Sequence, residues 1–278
     1  MTKVAVSEAL ESIAGRYSDS RLNLFDLVAE RPSPDLCRLT GTVLEQALLD
    51  SSVQELAGLF PEVQFDSSAV QVLRQDPAQK LVISTNLAGF HRHPSRATEL
   101  MSQLLNGAVV EQLDEEDYWT FVRQEDGYLG WIQKAYAGSE LPQQKPSHIV
   151  TEPVALMMSE PAGGEIVSRI FAGTHVSAND LIDNWVRIDL VGSYSGWVPI
   201  ESLWPLDIQP RTAAERREKM VAYAAPYTGV PYRWGGCSIY GIDCSGLAQL
   251  MHRLCGVILP RDADMQYAAG EPVEPPFQ

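Results

Sequence analysis

Two stretches of the chain share one pattern of alternating hydrophobic and polar residues. The segment YWTFVRQEDGYLGWI (118–132) aligns without gaps to NWVRIDLVGSYSGWV (184–198), at an offset of 66 positions. The residues that agree are of rare types: Trp119 with Trp185, Tyr128 with Tyr194, Gly130 with Gly196, and Trp131 with Trp197. A period of two indicates short, half-buried strands separated by turns. The pattern therefore predicts an internal repeat of small antiparallel β-units.

Each repeat unit has about 60 residues with its leading strands, a size at which a small antiparallel barrel can fold. The units resemble the bacterial SH3-like repeat, with its W-x-x-V … DGY-x-GWV signature. We place them at 79–140 and 147–207, with the proline-containing polar linker 141–148 between them. Repeated tryptophans often fill a small barrel core, so we expect that role for Trp119, Trp131, Trp185 and Trp197.

Helical patterns mark the rest of the chain. The segment 42–60 has an apolar helical face and stops before Pro61, so residues 1–78 are predicted to form a partly helical prefix that packs on the first barrel. A second helix is predicted at 211–225. A third begins at Cys244, because apolar residues follow it at helical spacing and Gly256 stands where helices commonly end. The string ADMQYAAG (263–270) suggests a short fourth helix.

Composition and charge narrow the class of protein. The chain has 278 residues, enough for two or three small domains. Its 36 acidic and 21 basic side chains give a formal charge of −15, which argues against nucleic acid as a partner. No apolar run is long enough to span a membrane, and Glu8 and Glu11 interrupt the place where a signal peptide has its apolar core. We therefore expect a cytoplasmic protein.

The four cysteines are Cys37, Cys237, Cys244 and Cys255, and no two of them form a C-x-x-C pair. Neither a zinc site nor a disulfide framework is indicated, so we expect no metal and no cofactor. Cys37 and Cys255 are most simply buried apolar thiols. A disulfide between Cys237 and Cys244 stays open as an alternative to two free thiols.

Cys244 has the surroundings of a nucleophile. It lies in PYRWGGCSIYGIDCSG (231–246), at the first turn of the third predicted helix and behind a glycine-rich loop. Backbone N–H groups and the helix dipole favour the thiolate there, which is the reactive form of cysteine. The alternative is a structural thiol in a hydrophobic core.

Three motifs, PYRWGG, DCSG and LPRD (259–262), together resemble the NlpC family of papain-like bacterial cell-wall cysteine peptidases. The resemblance is strongest to the cytoplasmic members with SH3-like domains ahead of the catalytic domain, and it covers 79–278. It implies two SH3-like antiparallel β-barrels followed by an α+β papain-like domain at 211–278. Those enzymes are γ-D-glutamyl-L-diamino-acid endopeptidases, also called dipeptidyl-peptidase VI, which trim murein peptides released from peptidoglycan.

The resemblance also assigns the catalytic residues. Cys244 would attack the amide carbonyl after the γ-D-glutamyl group. Tyr232 would donate a hydrogen bond to the developing oxyanion.

A further five residues would bind the substrate. Asp262 would pair with the free amino group of the terminal L-alanine, and Tyr128 with Glu99 would close the pocket over that end. Trp234 and Arg261 would form part of the wall of the same substrate pocket. Two simpler interpretations remain: Tyr128 as a turn residue, and Asp262 as a helix cap.

The chain departs from the family pattern after LPRD. A papain-type thiol needs a histidine to accept its proton, and this sequence has no histidine after His252. His252 lies about 12 Å along the same predicted helix from Cys244, too far to reach the sulfur. We expect a papain-like domain that lacks its C-terminal strands, as in an incomplete product of a longer gene. As written, it should hydrolyse L-Ala-γ-D-Glu-diaminopimelate weakly or not at all.

A hypothesis from a different class is a binding protein, in which a catalytically silent papain-like domain holds murein peptides without cutting them. The nucleotide sequence after the Gln278 codon distinguishes the peptidase hypothesis from the binding-protein hypothesis. An open frame with a Gly-His-Val-type segment supports the peptidase, and a stop codon supports the binding protein.

Overall fold

The computed structural model describes residues 3–142, 144–192, 194–208 and 210–273. The chain divides into two compact units. The first is Met1–Gln79 with Glu111–Asp114, and the second is Lys80–Val110 with Glu115–Gln278. Among the described helices, none has the length and apolar character needed to cross a bilayer.

The first unit is a three-stranded sheet packed against two helices. Its elements are α1 (Lys3–Gly15), β1 (Phe25–Ser33), β2 (Leu36–Val43), α2 (Gln46–Leu59) and β3 (Gln64–Val72). Strand β2 is central, antiparallel to β1 and parallel to β3, and α2 lies in the crossover that a parallel pair requires. Both helices and the sheet contribute to one core, which includes Val6, Leu10, Ile13, Cys37, Leu39 and Leu56.

The predicted helix at 42–60 is confirmed as α2, but the description of the first 78 residues as a partly helical prefix is incomplete. The sequence pattern does not predict the sheet, because Pro32 and Pro34 give the β1–β2 hairpin the composition of a loop. Pairing with distant strands, more than local propensity, makes this segment extended.

The second unit contains two seven-stranded sheets with antiparallel pairs, apart from Glu111–Asp114 of one strand, which count with the first unit. The first comprises β4 (Lys80–Ile83), β5 (Leu87–His91), β6 (Leu100–Leu105), β7 (Val109–Glu116), β8 (Trp119–Arg123), β9 (Leu129–Gln133) and β10 (Ala137–Gly138). The second comprises β11 (His148–Val150), β12 (Val154–Glu160), β13 (Gly163–Phe171), β14 (His175–Ile182), β15 (Trp185–Leu190), β16 (Tyr194–Pro199) and β17 (Leu203–Pro205).

The two sheets have the same strand order. Neighbours run β10-β4-β7-β8-β9-β5-β6 in the first sheet and β17-β11-β14-β15-β16-β12-β13 in the second. The register also agrees, because Val122 pairs with Gly130 and, 66 positions later, Ile188 pairs with Gly196. Topology and register thus confirm the internal repeat predicted from the sequence.

The predicted burial of the repeated tryptophans is wrong for three of the four. Trp119 is buried, but Trp131, Trp185 and Trp197 are only partly covered. Alternate residues of a strand point to opposite faces. The tryptophans of β15 and β16 therefore lie on the face of the sheet that points away from its core. The core of the second sheet is formed by aliphatic side chains that include Val186, Ile188 and Val198.

Three helices and a two-stranded ribbon follow the second sheet: α3 (Ala213–Ala224), β18 (Cys237–Ser238), β19 (Gly241–Ile242), α4 (Cys244–Leu254) and α5 (Ala263–Ala269). The three helices predicted in this region are confirmed. Thr212 and Glu215 form a capping box at the start of α3. Gly256, with a φ of +71°, follows the end of α4 in the left-handed conformation that glycine tolerates.

Helices α3 and α4 share a hydrophobic core with the second sheet. Ile149 and Ala172 of the sheet region lie in one buried cluster with Leu250, Met251 and Leu254 of α4. Side chains from α3, from β17 and from the residue that follows β17 pack against the same cluster: Met220, Tyr223, Ala224, Trp204 and Leu206. The second sheet therefore supports the helix that begins at Cys244.

We predict that Gly130→Ala destabilises the second unit. A Cβ at this position would lie 2.3 Å from the ring of Phe90, which is fully buried and stacked on Tyr128. Overpacking of this kind costs about 1–3 kcal/mol, so thermal unfolding followed by circular dichroism should shift down by several degrees. The matched control is Gly138→Ala, where nothing lies within 4 Å of the new Cβ. Equal melting temperatures for the two variants would contradict the close contact between Gly130 and the Phe90 ring.

Candidate active site

Cys244 is the first residue of α4, and its side chain is exposed. Cys37 and Cys255 are buried, as predicted, and Cys237 is intermediate. All four thiols are free, so the open disulfide alternative is not formed. Cys244 is thus the most accessible thiol of the chain, at a helix N-terminus.

Asp243 caps the helix in front of Cys244. Its carboxylate accepts the backbone N–H of Gly246 at 2.6 Å and that of Gly235 at 2.7 Å. The first bond satisfies a free donor of the first helical turn, and the second ties that turn to the preceding glycine-rich loop. Gly235 has a φ of +72°, and a Cβ there would lie 2.1 Å from the carbonyl oxygen of Leu100, so the loop needs glycine at this point.

A buried ion pair holds this cap. Arg261 donates from Nη2 to Oδ2 of Asp243 at 2.7 Å and from Nη1 to Oδ1 at 3.1 Å, and its side chain is 1% exposed. The same guanidinium reaches Ser245 Oγ at 2.8 Å and Ser102 Oγ of β6 at 3.1 Å. Burial by itself raises the pKa of Asp243, but the hydrogen bonds from Arg261 and from the N–H of Gly246 outweigh it and hold that pKa below its ordinary value.

This arrangement corrects the predicted role of Arg261 as a substrate contact. The guanidinium is buried and engaged by Asp243, Ser245 and Ser102, so its donors do not face an open cleft. Arg261 instead fixes both chain neighbours of Cys244. Sequence reasoning missed Ser102 and Asp243, although an aspartate directly before a predicted helix is itself a capping signal.

Tyr128 and Asp262 meet, as the roles expected of them require. The Tyr128 hydroxyl donates to Oδ2 of Asp262 at 2.7 Å. The tyrosine ring is buried and stacked on Phe90, with 6.0 Å between the ring centroids. Asp262 is half-buried at the N-cap position of α5, yet it makes no side-chain cap bond. The capping alternative therefore does not account for this carboxylate.

Glu99 and Trp234 form a second contact between the first sheet region and the loop before Cys244. The indole N–H of Trp234 donates to Oε1 of Glu99 at 2.9 Å, and Arg92 pairs with Oε2. Burial acts to raise the pKa of Glu99, but these two donors outweigh it and lower the pKa overall. The Trp234 side chain remains 62% exposed and forms an open aromatic wall.

Tyr232 is joined to the nucleophile region through its backbone. It forms a bridge with Ile242, two residues before Cys244, and its side chain is 66% exposed. The structure thus brings the predicted residues together as two side-chain pairs, Tyr128–Asp262 and Glu99–Trp234, beside the segment that carries Cys244. The His252 ring does not face Cys244. Its Nδ1 is 2.8 Å from the carbonyl oxygen of Ala248 in its own helix.

We predict that Arg261→Met destabilises the second unit by about 3–5 kcal/mol, because it leaves the Asp243 carboxylate buried without its counter-charge. Chemical unfolding followed by circular dichroism measures the loss. The control is Lys134→Met: Lys134 pairs with Glu115 at the surface, and such pairs contribute about 1 kcal/mol or less. An Arg261→Met protein as stable as the control would show that the pair does not hold the site.

Comparison with known proteins identifies two regions. A model described as the bacterial dipeptidyl-peptidase Sh3 domain matches residues 90–135, and a model of the NlpC/P60 family matches residues 229–276. The crystal structure of an NlpC/P60 family protein from Bacillus cereus superposes with a TM-score of 0.61 at 20% identity, covering 70% of this chain and 78% of that one. At this identity the likeness shows a shared fold.

Two curated relatives extend over most of the chain. Dipeptidyl-peptidase 6 of Lysinibacillus sphaericus is 30% identical over 197 residues, which cover 66% of this chain and 72% of that protein. The γ-D-glutamyl-L-lysine dipeptidyl-peptidase of Bacillus cereus is 25% identical over 195 residues, 65% of this chain and 58% of the relative. The aligned region thus spans less than two thirds of the second relative. With these matches and the site geometry, the chain belongs to the NlpC/P60 family of peptidases.

Proposed function

We propose that this protein is a cysteine peptidase that cleaves the γ-D-glutamyl-L-diamino-acid bond of murein peptides carrying a free amino-terminal L-alanine. Two relatives, the one from Bacillus cereus and another from Bacillus subtilis, are named γ-D-glutamyl-L-lysine dipeptidyl-peptidases, which supports this substrate class. We further propose that it acts in the cytoplasm on peptides released during cell-wall recycling. In this proposal the chain consists of a prefix at 1–78, SH3-like domains at 79–140 and 147–207, and the catalytic domain from 211 onward. The matching strand order of the two sheets supports the second SH3-like domain.

In the proposed reaction, the Cys244 sulfur attacks the γ-carbonyl carbon of the D-glutamyl residue. The C–N bond to the diamino acid breaks, the proton given up by the thiol ends on the leaving nitrogen, and a thioester remains on Cys244. His252, the last histidine of the sequence, is bonded to its own helix, so water carries this proton and we expect weak hydrolysis by these residues. Water then hydrolyses the thioester and releases the dipeptide. The exposure of Cys244 at the capped start of α4 supports this role, because it leaves the sulfur open to a substrate carbonyl.

Tyr232 is the proposed oxyanion donor. Each attack places negative charge on the carbonyl oxygen, and a hydroxyl aimed at that oxygen stabilises the transition state more than the ground state. The backbone bridge between Tyr232 and Ile242 supports this assignment, since it fixes the tyrosine relative to the residues just before the nucleophile.

The observation that carries the proposed specificity is the contact between Tyr128 and Asp262. A half-buried carboxylate oriented by a buried tyrosine suits a substrate ammonium group, because the charge-assisted bond is strengthened where water is scarce. Glu99 is kept ionised by Arg92 and Trp234, and it supplies further negative charge on the side of the proposed pocket that the first sheet forms. A pocket closed at the amino end would accept a free peptide and refuse the longer chains of the intact wall.

The test uses site-resolved alkylation of Cys244 by iodoacetamide, read by mass spectrometry. We predict that Cys244 reacts faster than Cys37 and Cys255, whose pKa values are raised by burial. The peptide L-Ala-γ-D-Glu-L-Lys should protect Cys244 in a saturable way, whereas its N-acetyl form should not. Asp262→Asn should weaken protection by about tenfold or more, because it removes the charge that pairs with the amine.

The matched control is Glu218→Gln, an exposed acid on α3 that should leave protection unchanged. Equal protection by the free and the N-acetylated peptide would contradict the amino-end specificity. A wild-type Cys244 that no peptide protects would overturn the proposed function altogether.

A further inference from the structure

The turn between β8 and β9 positions Tyr128 through its own hydrogen bonds. Gln124 donates its backbone N–H to the carbonyl of Tyr128 at 2.9 Å, and Gly127 donates to the carbonyl of Gln124 at 3.0 Å. Gly127 has a φ of +87°, which closes the turn. The backbone N–H of Tyr128 donates to Oδ1 of Asp126 at 3.1 Å. The place of the Tyr128 ring therefore depends on Asp126.

The other oxygen of Asp126 faces the catalytic helix. Gln249, five residues after Cys244 in α4, donates from Nε2 to Oδ2 of Asp126 at 3.4 Å. The same amide nitrogen donates to the carbonyl of Leu259 at 2.8 Å. Leu259 begins the LPRD segment, which ends at Asp262. One glutamine side chain thus joins the Tyr128 turn, α4 and the LPRD segment.

The Tyr128–Asp262 bond closes these contacts into a ring, which we call the Asp126–Gln249 ring. It runs from Asp126 to Tyr128, Asp262, Leu259 and Gln249, and back to Asp126. Every member except Gln249 belongs to the turn or to the LPRD segment, so the ring sets the spacing between those two pieces.

The nucleophile has a separate anchor. Arg261 fixes Asp243 and Ser245 on either side of Cys244, and it does so without Asp126 or Gln249. Gln266 adds a second tie, since its amide nitrogen donates to the carbonyls of Ser245 at 3.0 Å and Pro260 at 2.8 Å. Loss of the Asp126–Gln249 contact should therefore move Tyr128 relative to Asp262 and leave Cys244 in place.

We propose that Asp126 and Gln249 are positioning residues that hold Tyr128 against Asp262 and thereby set the preference for substrates with a free amino end. This inference rests on the proposed function and adds two residues to it. Neither residue needs to touch the substrate. Their effect is geometric, because the hydrogen bond from the Tyr128 hydroxyl fixes the orientation of the Asp262 carboxylate.

The test is Asp126→Asn, which keeps Oδ1 for the Tyr128 N–H and turns an amide NH₂ toward the NH₂ of Gln249. We expect the affinity for L-Ala-γ-D-Glu-L-Lys, measured by protection of Cys244, to fall about five- to tenfold. The ratio between the affinity for the free peptide and the affinity for its N-acetyl form should fall by the same factor. The alkylation rate of Cys244 without peptide, and the melting temperature, should stay as in the wild type.

Two further variants sharpen the result. Glu125→Gln is the matched control, because this exposed neighbour in the same turn makes no contact in the ring and should change nothing. The variant Gln249→Leu removes the donor to both Asp126 and the Leu259 carbonyl, so its affinity should fall at least as far as that of Asp126→Asn. A Gln249→Leu protein with wild-type affinity would count against the contact.

Crystal structures of the wild type and of Asp126→Asn separate the possible failures. The ring predicts that the Tyr128 hydroxyl moves away from Asp262 in the variant, beyond hydrogen-bonding distance. If peptides protect both proteins equally, or if the Tyr128–Asp262 bond persists in the variant, the inference is overturned while the proposed function stands. If no peptide protects the wild type but the tyrosine moves, the positioning role stands and the proposed function falls.

Discussion

The bidentate pair between Arg261 and Asp243 is the contact on which the rest of the candidate site depends. Burying two charges is costly, and it is tolerated only where nearly every donor and acceptor finds a partner. Here the Asp243 carboxylate takes two backbone N–H groups as well as the guanidinium, and the guanidinium also serves two serines. The start of α4, the glycine-rich loop and the LPRD segment are held in one arrangement because each supplies part of this cluster.

The same cluster makes the first sheet part of the site. Ser102 of β6 completes the coordination of Arg261, and the side-chain oxygen of the next residue, Gln103, accepts the backbone N–H of Cys237 at 2.9 Å. Glu99 and Tyr128 then reach Trp234 and Asp262. The edge of the first sheet and one of its turns therefore contact the loop before Cys244 and the LPRD segment.

The sequence predicted the features that rest on local pattern, and it missed those that rest on distant contacts. The repeat, the start of α4 at Cys244 and the end of that helix at Gly256 follow from periodicity and from glycine placement. The hydrogen bond from Arg261 to Ser102 joins residues 159 positions apart, and no local signal marks it. For the same reason Arg261 looked like a substrate contact from its motif alone. The sheet of the first unit was missed because prolines in its hairpin hide the alternation.

The core shared by α4 and the second sheet restricts how such proteins can be reassembled. Ile149 and Ala172 fill the same cluster as Leu250 and Leu254, so neither side is covered without the other. A fusion or a recombination event that carried only the residues from α3 onward would expose this apolar surface to water. The second sheet and the helices after it must therefore be inherited, transplanted or expressed together, even though the repeated pattern makes the sheet look like an interchangeable unit.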